Sequence, residues 1–292
     1  MHSLLKKALL LGLILSLLAA SVACAPAATQ ASGEPANRLE AIRARGYIEV
    51  ATEPYFAPNE YIDPSKPEAE QIVGSDIELA KHIAKSLDVE LRIVPLEFTA
   101  VLASIVEGKY DLAISGLAWT PARNEAMEMT KGYYFSREGA GSVEQSFLVR
   151  EADQLTLKTP ADLAGKTIAY QAGSLQEFFA KDQCPADAVH MQLSTPVDAY
   201  LAVQEGKADA AIVAISPAEL YISANPDSKL VVQSEFRFTQ DEETLGTRIG
   251  IPKGETELLA YINGIIDEIL VSGDYIKWYD EHTELAKTLG VE

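Results

Sequence analysis

Cysteine is scarce in this chain: Cys24 and Cys184 are its only two, too few for a disulfide framework. Histidine is equally thin. His2, His82, His190 and His282 are scattered, and no pair has the spacing that puts two ligands on one helix face. No Gly-x-Ser-x-Gly elbow or phosphate-cradling loop occurs, and Gly139-Ala140-Gly141 lacks the strand–turn–helix setting of a dinucleotide fingerprint. Cys184, beside Pro185, reads as an inert thiol. No cofactor and no metal are expected. Positive charge is also in deficit, with 24 Lys and Arg against 43 Asp and Glu for a net −19. Such a chain repels nucleic-acid phosphates and offers no basic patch to anionic lipid; its charge speaks to solubility rather than to ligand identity. Beyond the N-terminus no apolar run is long enough for a membrane-spanning helix.

What is present begins with a targeting segment. Lys6 and Lys7 form a positive start, Ala8 to Ala20 an apolar stretch, and small residues lead to Cys24. Ser21-Val22-Ala23-Cys24 resembles a bacterial lipobox, with Ser21 where Leu is usual. Lipidation at Cys24 is the favoured reading, since a tether-like stretch rich in Ala, Pro, Ser and Thr follows; simple cleavage near Ala23 or Ala25 competes. Lipidation would leave Cys184 without a partner. Removal of residues 1–24 would take Lys6 and Lys7 and bring the charge to −21. A chain of 292 residues has room for one large or two medium domains.

The rest alternates strand and helix patterns. Tyr47–Thr52 reads as a strand, followed by the loop Glu53–Pro58 and a polar insertion, Asp63–Gln71. Gly74-Ser75 opens a helix with Ile77, Ala80, Ile83, Ala84 and Leu87 at helical spacing. Leu91–Pro95 is a second strand, a helix around Val101–Val106 stops at Gly108, and Tyr110–Ser115 is a third strand. This β-α-β-α-β order is half of a doubly wound α/β sheet. A second run follows with Lys166–Tyr170, helices near Leu175 and Val197, and the strand Ala208–Ile215. ASIVEGKYDLAISG at 103–116 aligns without gaps on LAVQEGKADAAIVA at 201–214, so two similar lobes are expected. Late helices cover Glu257–Leu270 and Tyr275–Trp278.

Asp111–Arg123 (DLAISGLAWTPAR) is the stretch richest in chemistry. An apolar strand breaks at Ser115-Gly116, and Thr120-Pro121 opens a helix with Arg123 in its first turn. A cation there opposes the helix dipole and calls for a negative partner. Backbone N–H groups at Gly116 to Ala118 beside a guanidinium fork suit a carboxylate. Open parallel sheets bind ligands beyond the C-terminal ends of their strands. The loops at those ends are Glu53–Pro58, Ser115–Thr120, Gln171–Leu175 and Ala214–Pro217. Two lobes facing each other through them would form a cleft that closes by hinge motion. Trp119 stands next to this turn, whereas Tyr133, Tyr134 and Phe135 read as packing.

GSDIELAKHIAKSLDVELRIVPLEFTAVLASIVEGKYDLAISGLAWTPAR, DLAGKTIAYQAGS, GKADAAIV and GIPKGETELLAYINGIIDEILVSGDYIKWYDE occur in that order. They resemble the extracellular solute-binding proteins, family 3, of polar-amino-acid ABC transporters. The likeness runs from about Leu39 to the C-terminus. It implies two doubly wound α/β lobes joined by two crossing hinge strands, the type II periplasmic-binding-protein architecture. The implied division is 1–24 signal segment, 25–37 tether, 38–142 plus 248–292 first lobe and 143–247 second lobe. Hinges would lie near Gly139–Glu144 and Thr244–Ile249. The resemblance also implies roles: Arg123 holds a ligand carboxylate, Ser115, Gly116, Leu117 and Ala118 surround it, and Phe56 walls the ligand. Glu53 faces its side chain or amine, and Gly173, Ser174 and Leu175 close over the carboxylate. Ala118 replaces the usual Thr or Ser. Ala214 replaces the Asp that grips an α-ammonium, so Glu53, Glu219 or another acid must supply that charge, or the ligand is not an ordinary α-amino acid. The expected function is capture of a small carboxylate-bearing solute, a polar amino acid or derivative, by a monomeric lipid-tethered protein that serves an ABC permease outside the cytoplasmic membrane. The same fold also hosts periplasmic dehydratases of cyclic carboxylates, for which Glu53 could supply an acid. A sensory ectodomain is the third reading, disfavoured because no span or signalling module follows.

Overall fold

The computed structural model describes residues 35–135, 144–241 and 245–290. Met1–Ala36 is a unit of its own; the signal segment, Cys24 and most of the tether lie outside the described residues, as do Gly139 to Ser142 and Thr244 at the expected hinges. All that follows concerns Asn37–Glu292.

Two five-stranded sheets share one plan. The first is built from β1 (Tyr47–Thr52), β4 (Glu90–Pro95), β5 (Leu112–Ala113), β6 (Glu128–Met129) and β12 (Gly250–Ile251), in the order β4-β1-β5-β12-β6. The second holds β7 (Gln145–Arg150), β8 (Thr167–Gln171), β9 (Val189–Leu193), β10 (Ala210–Ala214) and β11 (Leu230–Val232), in the order β11-β7-β10-β8-β9. In each sheet three strands are parallel and the neighbour of the third is antiparallel. That antiparallel strand is β12 in the first sheet and β7 in the second. Each is the strand by which the chain arrives from the other sheet. The parallel pattern expected from sequence therefore holds for three of the five strands in each sheet, and the crossing strands make both mixed. A small hairpin of β2 (Tyr61–Ile62) and β3 (Ile72–Val73) brackets the Asp63–Gln71 insertion.

Helices cover both faces, as a mostly parallel sheet requires. On one face of the first sheet Ile48, Val50 and Leu112 meet α1 (Arg38–Arg45), α2 (Ser75–Leu87), α8 (Thr256–Ser272) and α9 (Asp274–Leu289) through Ile42, Leu79, Ile83, Ile262 and Tyr275. On the other, Ala51 and Ala113 meet α3 (Phe98–Val106) through Phe98, Val101 and Ile105. Each such fully buried aliphatic side chain contributes roughly 1.5–3 kcal/mol. In the second sheet α5 (Leu175–Gln183) packs Phe179 against Ile168 and Ile212. The opposite face takes Tyr200 and Val203 of α6 (Pro196–Gln204) and Tyr221 of α7 (Ile215–Ala224).

The repeated 14-residue wording marks equivalent structure. Gly108 and Gly206 both end their helices with left-handed backbones, φ +68° and +73°. Asp111 Oδ2 accepts Glu49 N–H at 2.8 Å and Asp209 Oδ2 accepts Thr167 N–H at 2.8 Å. In each lobe the Asp immediately precedes its own strand and accepts a backbone N–H from the neighbouring one. Asp111 is fully buried and also pairs with Arg38 and Arg45. One reading needs correction. Ala214–Pro217, expected as a loop, runs straight into α7, because Pro217 in a first helical turn forfeits no needed hydrogen bond.

Candidate functional site

The C-terminal ends of β1, β5, β8 and β10 converge on one cleft, about 770 Å³ including the space at its mouth. From the loop after β1 come Glu53 and Phe56, and from the turn after β5 come Ser115, Gly116 and Ala118. Thr120 caps the short α4 (Pro121–Ala126) by accepting Arg123 N–H at 3.2 Å. That cap sets Arg123 into the cleft. On the opposite wall Ser174 caps α5 by accepting Glu177 N–H at 3.2 Å, next to Leu175, while β10 contributes Ile212, Val213 and Ala214. Gly116 takes a left-handed turn at φ +56°, and a Cβ there would stand 2.8 Å from the Phe56 ring, so the ring lies against bare backbone.

Arg123 is buried, at 6% exposure, and no acid among the described residues pairs with it. Its Nη1 donates to Ala118 O at 2.6 Å and its Nη2 to Gly173 O at 2.8 Å, with Phe98 beneath the guanidinium at 5.3 Å. Burial lowers its pKa to about 10, so it stays cationic at neutral pH, and the negative partner expected from sequence is not a side chain among the described residues.

The acids lie on the first sheet's side. Glu53 is buried, and Gln171 Nε2 donates to both its oxygens at 2.8 Å across the cleft. Burial raises its pKa to about 7, with Glu97 and Asp198 adding to the rise against the Gln171 bond. Ser115 joins Glu53 to a second acid, Glu60, accepting Glu53 N–H at 3.0 Å and donating to Glu60 Oε1 at 3.1 Å. Glu60 is fully buried, and its Oε2 meets no N–H or O–H donor among the described residues. Burial and the adjoining Asp76 hold its carboxyl well above the usual range.

Most expected site residues come together: Glu53, Phe56, Ser115, Gly116, Ala118, Arg123, Ser174, Leu175 and Ala214 all line the cleft. Leu117 does not. It is fully buried with Val101 and Met127, because the backbone reverses at Gly116 and turns that side chain into the core. Gly173 offers Arg123 its carbonyl, and its N–H is taken by Glu177 Oε2 at 2.6 Å, so it has none left for a carboxylate. Gly116 N–H is likewise engaged, by Asp76 Oδ2 at 2.8 Å. Glu219, a candidate for the charge missing at Ala214, is exposed on α7 and away from the cleft. Trp119 lies outside it too, in a separate hollow with Phe178. Tyr133 and Tyr134 are buried packing residues.

Sequence reasoning missed Glu60, Phe98, Gln145, Gln176 and Tyr200 as cleft residues. For Glu60 a signal was available. It follows Phe56 by four residues in a Pro-bounded loop, and the two form an isolated antiparallel bridge that brings it back to the strand end. Among the described residues no cluster of His, Cys, Asp and Glu could hold a metal, and no helix is long and apolar enough to cross a membrane.

The sequence pattern of the bacterial extracellular solute-binding proteins, family 3, matches residues 48–284. Among similar proteins is the ABC transporter arginine-binding protein 1 of Escherichia coli, 28% identical, with 72% of this chain and 82% of that protein covered. A probable histidine-binding protein of Campylobacter jejuni is 27% identical over 80% of this chain and 84% of its own. In three dimensions the chain is similar to the amino-acid ABC transporter substrate-binding protein AbpA of Streptococcus pneumoniae, solved bound to L-arginine. That likeness has a TM-score of 0.74 at 32% identity, over 87% of this chain and 99% of that one. It is also similar to an ancestral amino-acid-binding protein described as a precursor of cyclohexadienyl dehydratase, with TM-score 0.70 and 27% identity, over 85% of this chain and 100% of that one.

Proposed function

Because the chain belongs to the bacterial extracellular solute-binding proteins of family 3, we propose that it captures a basic amino acid of the arginine–histidine kind and presents it to an ABC permease. At the coarser level it is the amino-acid-binding component of an ABC importer. The observation that carries the finer reading is the cleft's charge map. One buried guanidinium without a carboxylate partner shares a cavity with two buried acids. A solute bearing a carboxylate and a cation complements both. Arg123 takes the carboxylate by a bidentate fork, aided by the backbone at Ala118 and by the N-terminus of α5 at Ser174 and Leu175. Glu53 takes the cationic end, with Phe56 as its aromatic wall.

Capture works by closure. Residues 38–142 with 248–292 form one lobe and 143–247 the other, and a ligand bridging them shifts the open–closed equilibrium by its extra affinity for the closed form. Two contacts across the cleft, Gln171 to Glu53 and Arg123 to Gly173 O, already join the walls. The protein acts as a monomer outside the cytoplasmic membrane, held by a lipid on Cys24, and performs no covalent chemistry on its ligand. A thermal-shift screen of the domain from residue 35 against amino acids, amines and small carboxylates tests this. Stabilisation by L-arginine, L-lysine or L-histidine is expected, and recovery of the bound solute unaltered tests the absence of turnover. Stabilisation only by des-amino carboxylates would overturn the amino-acid assignment. Conversion of a bound cyclic carboxylate would favour the dehydratase reading, for which the raised pKa of Glu53 is the favouring observation.

A further inference from the structure

We propose that Glu60 is a second ligand-recognising acid, whose carboxyl receives the positively charged end of the solute's side chain beside Glu53. The inference rests on the basic-amino-acid reading above and adds to it a residue and a proton. Glu60 lines the cleft yet is fully buried, and its Oε2 has no donor among the described residues. A buried carboxyl oxygen without a donor is costly unless the group is protonated or a cation arrives. The facing groups supply no cation. Ser115 donates to Oε1 from the β5 turn, and Asp76 stands alongside from the start of α2. Tyr133 and Tyr275, from the segment after β6 and from α9, both donate to Asp76. Glu53 adds a further negative charge across Ser115. His282, on the far side of Tyr61, is engaged by the Tyr61 hydroxyl and Glu78. Burial and the adjoining Asp76 favour a proton on Glu60 until a guanidinium or ammonium displaces it. The bookkeeping is one cation in and one proton out, so charge in this buried corner stays constant while the ligand enters.

The second sheet's wall cannot do this work. Gln145, Gln171, Ser174, Gln176 and Tyr200 are the polar side chains that line the cleft there, and none is ionised at neutral pH; Asp198 of α6 acts on Glu53 from outside the lining. A charged side-chain end is therefore distinguished from its neutral isostere on the first sheet's side alone.

The test compares L-arginine with L-citrulline, its uncharged isostere, by titration calorimetry at pH 8–8.5, where Glu53 is already ionised. Buffers of differing ionisation enthalpy read the protons released. Expected for the unaltered protein is a preference for arginine with release of about one proton, and little release with citrulline. Glu60→Gln should lower arginine affinity about tenfold or more, leave citrulline within about threefold and abolish the release. Arginine binding without proton release would overturn the inference without any variant, so misfolding of Glu60→Gln cannot shelter it. An unchanged arginine-to-citrulline ratio in a folded Glu60→Gln would overturn it too. Binding of neutral amino acids but of neither arginine nor lysine would refute this inference and leave amino-acid capture standing. Failure to bind any amino acid would remove both.

Discussion

Replacing Arg123 by alanine separates ligand binding from folding. In the folded chain the guanidinium donates to two carbonyls, Ala118 O and Gly173 O, and is buried without a counter-charge. The variant loses two charge-assisted bonds but also an uncompensated buried cation, so its stability should change by less than about 2 kcal/mol. Binding is another matter. Truncating one partner of a buried, hydrogen-bonded charge pair costs about 2–5 kcal/mol, because the other charge stays buried and unpaired. That corresponds to a Kd raised roughly 30- to 5,000-fold. Thermal melts give the readout: ligand at about 1,000 times Kd stabilises by about 4 kcal/mol, whereas a variant weakened about 100-fold keeps only about 1.4 kcal/mol. For a domain of this size the melting shift should fall from about 8–16 °C to about 3–6 °C. Arg123→Lys keeps the charge without the fork and should fall between. A Kd for Arg123→Ala within threefold of the unaltered protein would refute the carboxylate assignment.

Glu53 makes the fold itself pH-sensitive. Its pKa rises from 4.5 to about 7 on folding, so its contribution is complete below pH 4.5 and is lost as pH climbs to about 7, by up to about 3 kcal/mol; denaturant unfolding at pH 5 and pH 7.5 should show a smaller drop in Glu53→Gln. The paired aspartates of the repeated segments should differ in importance. Asp111→Ala strands Arg38 and Arg45 around a fully buried site and should cost about 3–5 kcal/mol. Asp209→Ala removes a partly exposed cap with a distant Lys166 contact at 3.8 Å and should cost about 1 kcal/mol by equilibrium unfolding. Ala214→Asp puts a carboxylate on the second sheet's cleft wall and should improve an α-amino acid about tenfold over its des-amino analogue, read by calorimetry; an unchanged ratio would mean that the ammonium lies elsewhere.

The legible part of the site is the part encoded locally. Thr120 and Pro121 announce a helix start, and the structure has Thr120 as its cap and Arg123 in its first turn. Ser174 and Leu175 follow the same logic at α5. The repeat at 103–116 and 201–214 pointed to two similar lobes, and the two five-stranded sheets on one plan, with matching hydrogen bonds of Asp111 and Asp209, agree with it. What escaped the sequence depends on long-range pairing. The resemblance implied that strands cross between the lobes, but the antiparallel places of β7 and β12 have no local signal that distinguishes them from parallel strands. Leu117 faces the core because the backbone reverses at Gly116, which defeats simple alternation along the strand. Glu60 escaped because its burial is made by Ser115, Asp76 and the Phe56 bridge, residues spread over three segments.

The two walls of the cleft divide their labour by charge. Arg123, Glu53 and Glu60 all stand on the first sheet's side, while the facing wall presents the amides of Gln171 and Gln176, the helix start at Ser174 and the apolar surface of Ile212 and Ala214. In the proposed capture, closing the second wall would therefore remove water from charges that the first has already paired with the ligand. Desolvation penalises any charge left over, by several kcal/mol for an unpaired ion. A solute that satisfies Arg123 but leaves the two acids facing no cation must bring protons to them or keep the cleft open. One with a cation but no carboxylate leaves Arg123 buried and unpaired. Selectivity in this arrangement comes from the cost of closing over a mismatch. The second wall suits that role, because no ionised side chain lines the cleft from it, and Asp198 behind it only disfavours charge on Glu53.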